Sequence, residues 1–249
     1  MKYGICHLSI VPIREENSHK SELVSQLLYG DCFKINSEKK DWLQITTLHD
    51  NYSGWIDKKQ MRIISQNEAE NISGPNAKYC TQLVDYIEAE DHSLTTVVMG
   101  SNVAAATLLN QTFKGKAVKG TQDKTNLIKT ASLYLNAPYL WGGKTPLGID
   151  CSGLVQMIYK MNGYSLPRDA SQQVHLGETL SFIDESEAGD LAFFDDREGN
   201  IVHVGILLEN HYIIHAHGKV RIDRIDQTGI YNFETQKHSH KLRIIKKIV

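Results

Sequence analysis

Trp141-Gly142-Gly143-Lys144-Thr145-Pro146-Leu147-Gly148-Ile149-Asp150-Cys151-Ser152-Gly153 is a glycine-rich approach that ends abruptly at a helix start. Asp150 has the side chain of an N-cap, and the run from Cys151 to Lys160 reads as the helix it opens. A cysteine in such a first turn sits among backbone N–H groups that have no carbonyl to bond, at the positive end of the helix dipole, which favours the thiolate. The position suits a nucleophile. Taken alone, Cys151 reads equally well as a small core residue, because free cysteines are among the most buried residue types.

The downstream sequence separates these readings. A thiolate needs a base within hydrogen-bond reach, and the base needs a third group to orient it. His203 interrupts an otherwise apolar strand, Asn200-Ile201-Val202-His203-Val204-Gly205-Ile206-Leu207, and His215 follows in His211-Tyr212-Ile213-Ile214-His215-Ala216-His217. A three-residue hairpin loop, Glu209-Asn210-His211, puts His203 and His215 on one face with side-chain-free Gly205 opposite His215; a two-residue loop, pairing Leu208 with His211, puts them on opposite faces. The first is expected. His211, His215 and His217 alternate along one strand, so a metal site has to be weighed, but a catalytic zinc would want convergent ligands and a glutamate-bearing helical motif, and none is visible. Neither metal nor cofactor is expected, and His211 and His217 read as rim residues.

Composition narrows the class. The 249 residues are 41% hydrophobic and 22% charged, which excludes collagen-like, disordered and membrane-spanning chains. A net charge of −2 leaves no basic surplus for a nucleic-acid partner. The basic tail, Lys241, Arg243, Lys246 and Lys247, alternates with Leu242, Ile244, Ile245 and Ile248 and reads as a final strand with a solvated face. Four cysteines without a C-x-x-C pair read as reduced thiols. The N-terminal residues lack an apolar core of signal-peptide length, so the expectation is a cytoplasmic protein with no membrane association.

Residues 1–65 carry short strand-like runs between polar turns, as in a small β-barrel. Residues 66–76, with Gly74-Pro75, have the composition of a linker, and residues 77–119 alternate weakly enough for a second, degenerate barrel. From residue 122 Leu127, Ile128, Ala131, Tyr134 and Leu135 recur at helical spacing until Asn136-Ala137-Pro138. Strand candidates at 190–194, 201–208 and 212–217 follow the second helix, giving an α+β domain over 122–249.

Tyr29-Gly30-Asp31, Asp41-Trp42-Leu43-Gln44-Ile45 and Tyr52-Ser53-Gly54-Trp55-Ile56 resemble bacterial SH3-like domains, in which a glycine–tryptophan pair closes the barrel. Asp150-Cys151-Ser152-Gly153, then His203-Val204-Gly205-Ile206, then His215-Ala216 resemble the NlpC-type cysteine peptidases, a permuted papain-like family that hydrolyses murein peptides; the likeness covers about residues 122–249. With its SH3-like front end the chain is most similar to the γ-D-glutamyl-L-diamino acid endopeptidases of dipeptidyl-peptidase VI type, which cut after D-glutamate in peptides that begin with a free L-alanine.

The resemblance implies that Cys151 attacks the γ-glutamyl carbonyl, His203 takes and returns the proton, His215 orients His203, and the Cys151 N–H serves the oxyanion. It points to Asp150, aided by Tyr52, for the substrate ammonium, against a reading of Asp150 as helix cap only and of Tyr52 as a solvent-facing turn residue. Ser152, Arg168 and Ser171 match a pocket-lining segment, although Arg168 reads also as a surface salt-bridge residue. Trp141 would wall the cleft or be buried in a core. The implied substrate is a murein tripeptide or tetrapeptide, in recycling; whether diaminopimelate or lysine leaves, and the oligomeric state, stay open. Two rivals are a different acyl-transfer enzyme on the same scaffold, such as a wall amidase or acyltransferase, and a non-catalytic wall-binding SH3-like protein.

Overall fold

Alternating apolar and polar residues make half-buried strands, and in the computed structural model, which describes residues 2–249, seven such runs form the first sheet. Its order is Leu23–Leu28, Ile10–Arg14, Ser53–Asp57, Trp42–Thr47, Cys32–Lys39, Lys2–Ile5 and Arg62–Ile64, antiparallel at each pairing. Leu43 and Ile45 point inward and meet Val11, Ile13, Leu27, Phe33 and Ile56. Gly54 sits where a Cβ would lie 2.4 Å from Ile13 Cγ2 and 2.9 Å from the Arg14 carbonyl, so the glycine of the glycine–tryptophan pair is required by close strand approach.

Residues 66–76 differ from the linker reading. Gln66–Ile72 is an α-helix, because Ser65 and Glu68 form a complete capping box: the Glu68 N–H donates to Ser65 Oγ at 3.2 Å, and the Ser65 N–H donates to Glu68 Oε2 at 2.7 Å. Low hydrophobicity concealed it, since only Ala69 and Ile72 are buried. In residues 77–119, Val84–Ala89 is flanked by Leu94–Val98 and Gln111–Thr112 in a three-stranded sheet, and Tyr79–Cys80 pairs with Ala117–Val118. Ile87 and Val97 share one core with Ile5 and Cys32 of the first sheet and with Tyr29 of the turn after Leu23–Leu28.

The chain divides into two compact units, the first made of residues up to 121 with 141–146 and 163–165, the second of 122–140, 147–162 and 166–249. The glycine-rich approach is thus split between them. Its first part packs on the strand Leu23–Leu28: the Lys144 N–H donates to Gln26 Oε1 at 2.8 Å, and Gly142 (φ +75°) leaves no room for a Cβ, which would lie 2.3 Å from the Leu23 carbonyl oxygen.

In the second unit the helices Thr125–Leu133, Cys151–Met161 and Ala170–Gln173 precede a sheet in which Leu191–Asp195, Ile201–Leu208, Tyr212–His217, Lys219–Ile225 and Gly229–Asn232 follow one another. The eleven-residue strand Lys237–Lys247 pairs with both Leu191–Asp195 and Gly229–Asn232, which closes the sheet on itself. The basic tail is therefore the strand that its alternation announced. Cys151–Met161 is buried along its whole length and packs on Ile201–Leu208. Leu208 pairs with Tyr212 and Gly205 with His215, so the hairpin loop has three residues, Glu209 to His211, as the sequence reading required. A Cβ on Gly205 would lie 2.7 Å from Ile213 Cδ1 and 2.9 Å from His215 Cβ; glycine there lets the two strands hold both imidazoles on one face.

Candidate active site

Asp150 closes the N-terminus of the helix Cys151–Met161, accepting the Gly153 N–H at 2.7 Å. The same carboxylate holds Arg168 through two bonds, Nη1 to Oδ1 at 2.9 Å and Nη2 to Oδ2 at 2.6 Å. Arg168 Nη1 also donates to Ser152 Oγ at 2.9 Å. Arg168 is 1% exposed, which corrects the surface salt-bridge reading: it is a buried strut under the first turn of the helix. Its loop is pinned by Gln173 Nε2, which donates to the carbonyls of Ser152 (3.1 Å) and Pro167 (2.9 Å), and by Gln156 Nε2, which donates to that of Leu166 (3.0 Å). Ser171 is exposed in the short helix beyond.

Cys151 is the first residue of its helix and 6% exposed. Burial pushes its thiol up to about 11, with the charge of Asp150 adding to the effect, while the backbone N–H groups of Val204 and Ser152 pull the other way. The helix terminus does favour the thiolate, as the sequence suggested, but desolvation outweighs it and the resting group is the thiol. Tyr139, 36% exposed, stands within electrostatic reach of Cys151 and Asp150; burial and those two charges push its hydroxyl to about 12, so it remains a hydrogen-bond donor.

His203 Nε2 lies 2.8 Å from His215 Nδ1, and both rings are buried. Burial, then the neighbouring imidazoles of His215, His240 and His217, holds His203 well below its ordinary value of 6.5. Its proton-free form therefore persists below neutrality. Activity that depends on His203 as a base should hold as pH falls through 6.5 and decline only at a lower pH, when the depressed group protonates; a pH–rate profile of kcat/KM with its acid limb at or above 6.5 would contradict this.

Two members of this cluster escaped the sequence reading. His240 stacks on His203 with centroids 4.2 Å apart and planes 23° off parallel. Asp223, 1% exposed, lies 3.1 Å from His215 Nε2 and takes Arg221 Nε at 2.7 Å and Nη2 at 3.0 Å. A carboxylate in phase with buried Ile225 on the strand Lys219–Ile225 was the available signal for Asp223. His240 had none, since it lies just before the run 241–248 that the sequence reading took as the final strand, whereas the strand begins at Lys237.

One ring nitrogen from each of His203, His215 and His240 falls within 4.8 Å of the others, so the convergent histidines are these and not His211, His215 and His217. The stacked rings of His203 and His240 hold their lone pairs in nearly parallel planes, a poor arrangement for sharing one small ion. His211 is exposed and pairs with Asp184 at 3.1 Å, and His217 is exposed beside His240.

Tyr52 and Trp141 belong to the first unit. The Tyr52 N–H caps a turn on Thr47 Oγ1 at 2.9 Å. Trp141 is 59% exposed, not core, and its indole N–H donates to Glu22 Oε1 at 2.5 Å.

Residues 136–239 match the NlpC/P60 family, and residues 13–61 match the bacterial dipeptidyl-peptidase SH3 domain. The chain is 30% identical to a γ-D-glutamyl-L-lysine dipeptidyl-peptidase of Bacillus subtilis (strain 168) over 213 residues, covering 77% of this chain and 71% of the other. It is also 30% identical to dipeptidyl-peptidase 6 of Lysinibacillus sphaericus over 241 residues, covering 83% and 86%. The crystal structure of an NlpC/P60 family protein from Bacillus cereus ATCC 10987 superposes with a TM-score of 0.79 at 19% identity, covering 98% of this chain and 99% of that one, a likeness of fold.

Proposed function

The chain belongs to the NlpC/P60 family and is a cysteine peptidase, and from that premise we propose that it hydrolyses the γ-D-glutamyl-L-diamino acid bond of short murein peptides with a free N-terminal L-alanine. The observation that carries the site is buried Cys151 at a helix start, in hydrogen-bond reach of the backbone N–H of Val204 next to His203, with His215 Nδ1 2.8 Å from His203 Nε2. The relatives' names carry the substrate.

In this reading the Cys151 S–H gives its proton to His203 Nδ1 as the sulfur attacks the γ-glutamyl carbonyl. The oxyanion develops near the Cys151 N–H, which as the first of its helix has no preceding carbonyl to bond. The C–N bond breaks, His203 returns its proton to the departing amine, and a thioester remains. His203 then deprotonates a water that attacks the thioester, releasing the free γ-carboxyl and the thiol.

The substrate ammonium is assigned to Asp150. Asp150 already serves as helix cap and partner of Arg168, so recognition of an ammonium would add to these two roles its negative charge. Cleavage confined to short peptides with free amino termini suits recycling of murein fragments in the cytoplasm rather than remodelling of intact wall.

Hydrolysis of L-Ala-γ-D-Glu-L-Lys and of its diaminopimelate counterpart, each compared with its N-acetylated form, tests the reading. Cleavage of the free peptides at least about tenfold faster than the acetylated ones, a difference of about 1.4 kcal/mol, is expected for a buried carboxylate reading an ammonium. Equal cleavage would remove the amine role of Asp150, and no cleavage would move the assignment to another acyl group.

A further inference from the structure

Behind the pair of imidazoles lies a hydrogen-bonded line that the three-residue reading does not include. Asp223 Oδ2 meets His215 Nε2 at 3.1 Å, and the other nitrogen of His215 meets His203 Nε2 at 2.8 Å. Arg221 grips the same carboxylate through Nε and Nη2, and its Nη1 reaches Glu234 at 2.9 Å. Asp223 and His215 are 1% and 0% exposed, so each bond is made away from bulk water and its direction matters.

Donor and acceptor roles follow in sequence from the charge of Asp223. Burial opposes that charge, but the bonds from His215 and Arg221 outweigh it and hold the carboxyl below its ordinary range, so Asp223 is ionised and can only accept. His215 must then donate from Nε2. Burial also holds His215 below 6.5, with the bond to Asp223 opposing, so the ring is neutral and its Nδ1 carries a lone pair. That lone pair can only be met by a proton on His203 Nε2. Neutral His203 is left with its lone pair on Nδ1, the one nitrogen that faces away from His215.

We propose that Asp223, braced by Arg221, is a positioning residue that fixes the tautomers of both His215 and His203 and thereby makes His203 Nδ1 the base. The inference rests on the proposed role of Cys151 and His203. It extends the line of groups to four, His203, His215, Asp223 and Arg221. A proton gained at His203 Nδ1 is then balanced through two hydrogen bonds by a fixed negative charge. Were Asp223 absent, His215 could donate from either nitrogen, and half of the four resulting arrangements would oppose like groups between the rings, two N–H groups in one and two lone pairs in the other.

Nitrogen-15 NMR of histidine-labelled protein reads the tautomers directly. The expected result is protonated Nε2 with proton-free Nδ1 at both His203 and His215 near neutral pH; His215 protonated at Nδ1 instead would overturn the proposal. The second arm is Asp223→Asn. An amide has one acceptor oxygen where the carboxylate offered two, against donors from Arg221 Nε, Arg221 Nη2 and His215 Nε2, so a donor meets a donor in either rotamer. We expect kcat to fall about 10- to 100-fold, with KM within about twofold and the single His215 tautomer lost. Unchanged kcat and unchanged tautomer in a folded variant would also overturn the proposal. Should Asp223→Asn not fold, the wild-type spectrum decides alone. Activity that survives Cys151→Ala would instead discredit the peptidase site, and the tautomers, readable in that variant too, would still report on the relay.

Discussion

Replacing Cys151 by alanine should lower kcat for the γ-glutamyl peptide by about 10⁴-fold or more while leaving the unfolding midpoint nearly unchanged. Removal of a nucleophile that acts with its base as one unit costs about 10⁴ to 10⁶ in rate, because the residual binding contacts supply only a small part of the acceleration. Cys151 is 6% exposed in the first turn of its helix, so losing one sulfur opens a void of about one atom, and the cap beneath it, Asp150 to the Gly153 N–H, does not involve the thiol. Stability and activity should therefore part company in this variant. A serine at 151 should be nearly as inactive, since His203 is held neutral and well below 6.5 and is too weak a base to ionise an alcohol in a site that keeps even the thiol at about 11. Measured steady-state rates beside thermal melts check both; a variant retaining a tenth of the wild-type rate would place the nucleophile elsewhere.

The constellation was legible in the sequence because its parts have local grammar. Asp150 before Cys151 is a cap written in two adjacent residues, and the register of His203 against His215 follows from one loop length. What stayed hidden depends on contacts between distant strands. Asp223 reaches His215 diagonally, since its direct partner is Ile213, and His240 reaches His203 only because the long strand Lys237–Lys247 closes the sheet beside Leu191–Asp195. Neither closure nor diagonal has a one-dimensional signature. The balance at the thiol was hidden for a related reason: a helix terminus that favours the thiolate is visible in sequence, whereas the burial that opposes it belongs to the packed state. The helix Gln66–Ile72 shows the reverse case, where composition said linker and a four-residue capping box, present in the sequence throughout, said helix.

Arg168→Met should lower stability by about 3–5 kcal/mol, which is the usual cost of removing one partner from a buried ion pair and leaving the other charged in a low-dielectric surround. The charge left behind is Asp150, 5% exposed, and the two bonds lost are short, at 2.6 and 2.9 Å. Arg168→Lys should recover only part of this, because an ammonium is a point charge and cannot span Asp150 Oδ1, Asp150 Oδ2 and Ser152 Oγ as the planar guanidinium does. The informative variant is the double one, Asp150→Asn with Arg168→Met. With neither charge present, the asparagine can still cap the helix at the Gly153 N–H, and the double variant should be more stable than Arg168→Met alone, with a coupling of about 1–3 kcal/mol in denaturant midpoints converted through a common slope. Activity should not recover with stability. An amide at 150 offers no negative charge to a substrate ammonium, so if Asp150 reads that group the double variant will fold yet lose its preference for free over N-acetylated peptide. A double variant that keeps the preference would assign Asp150 to the helix cap alone.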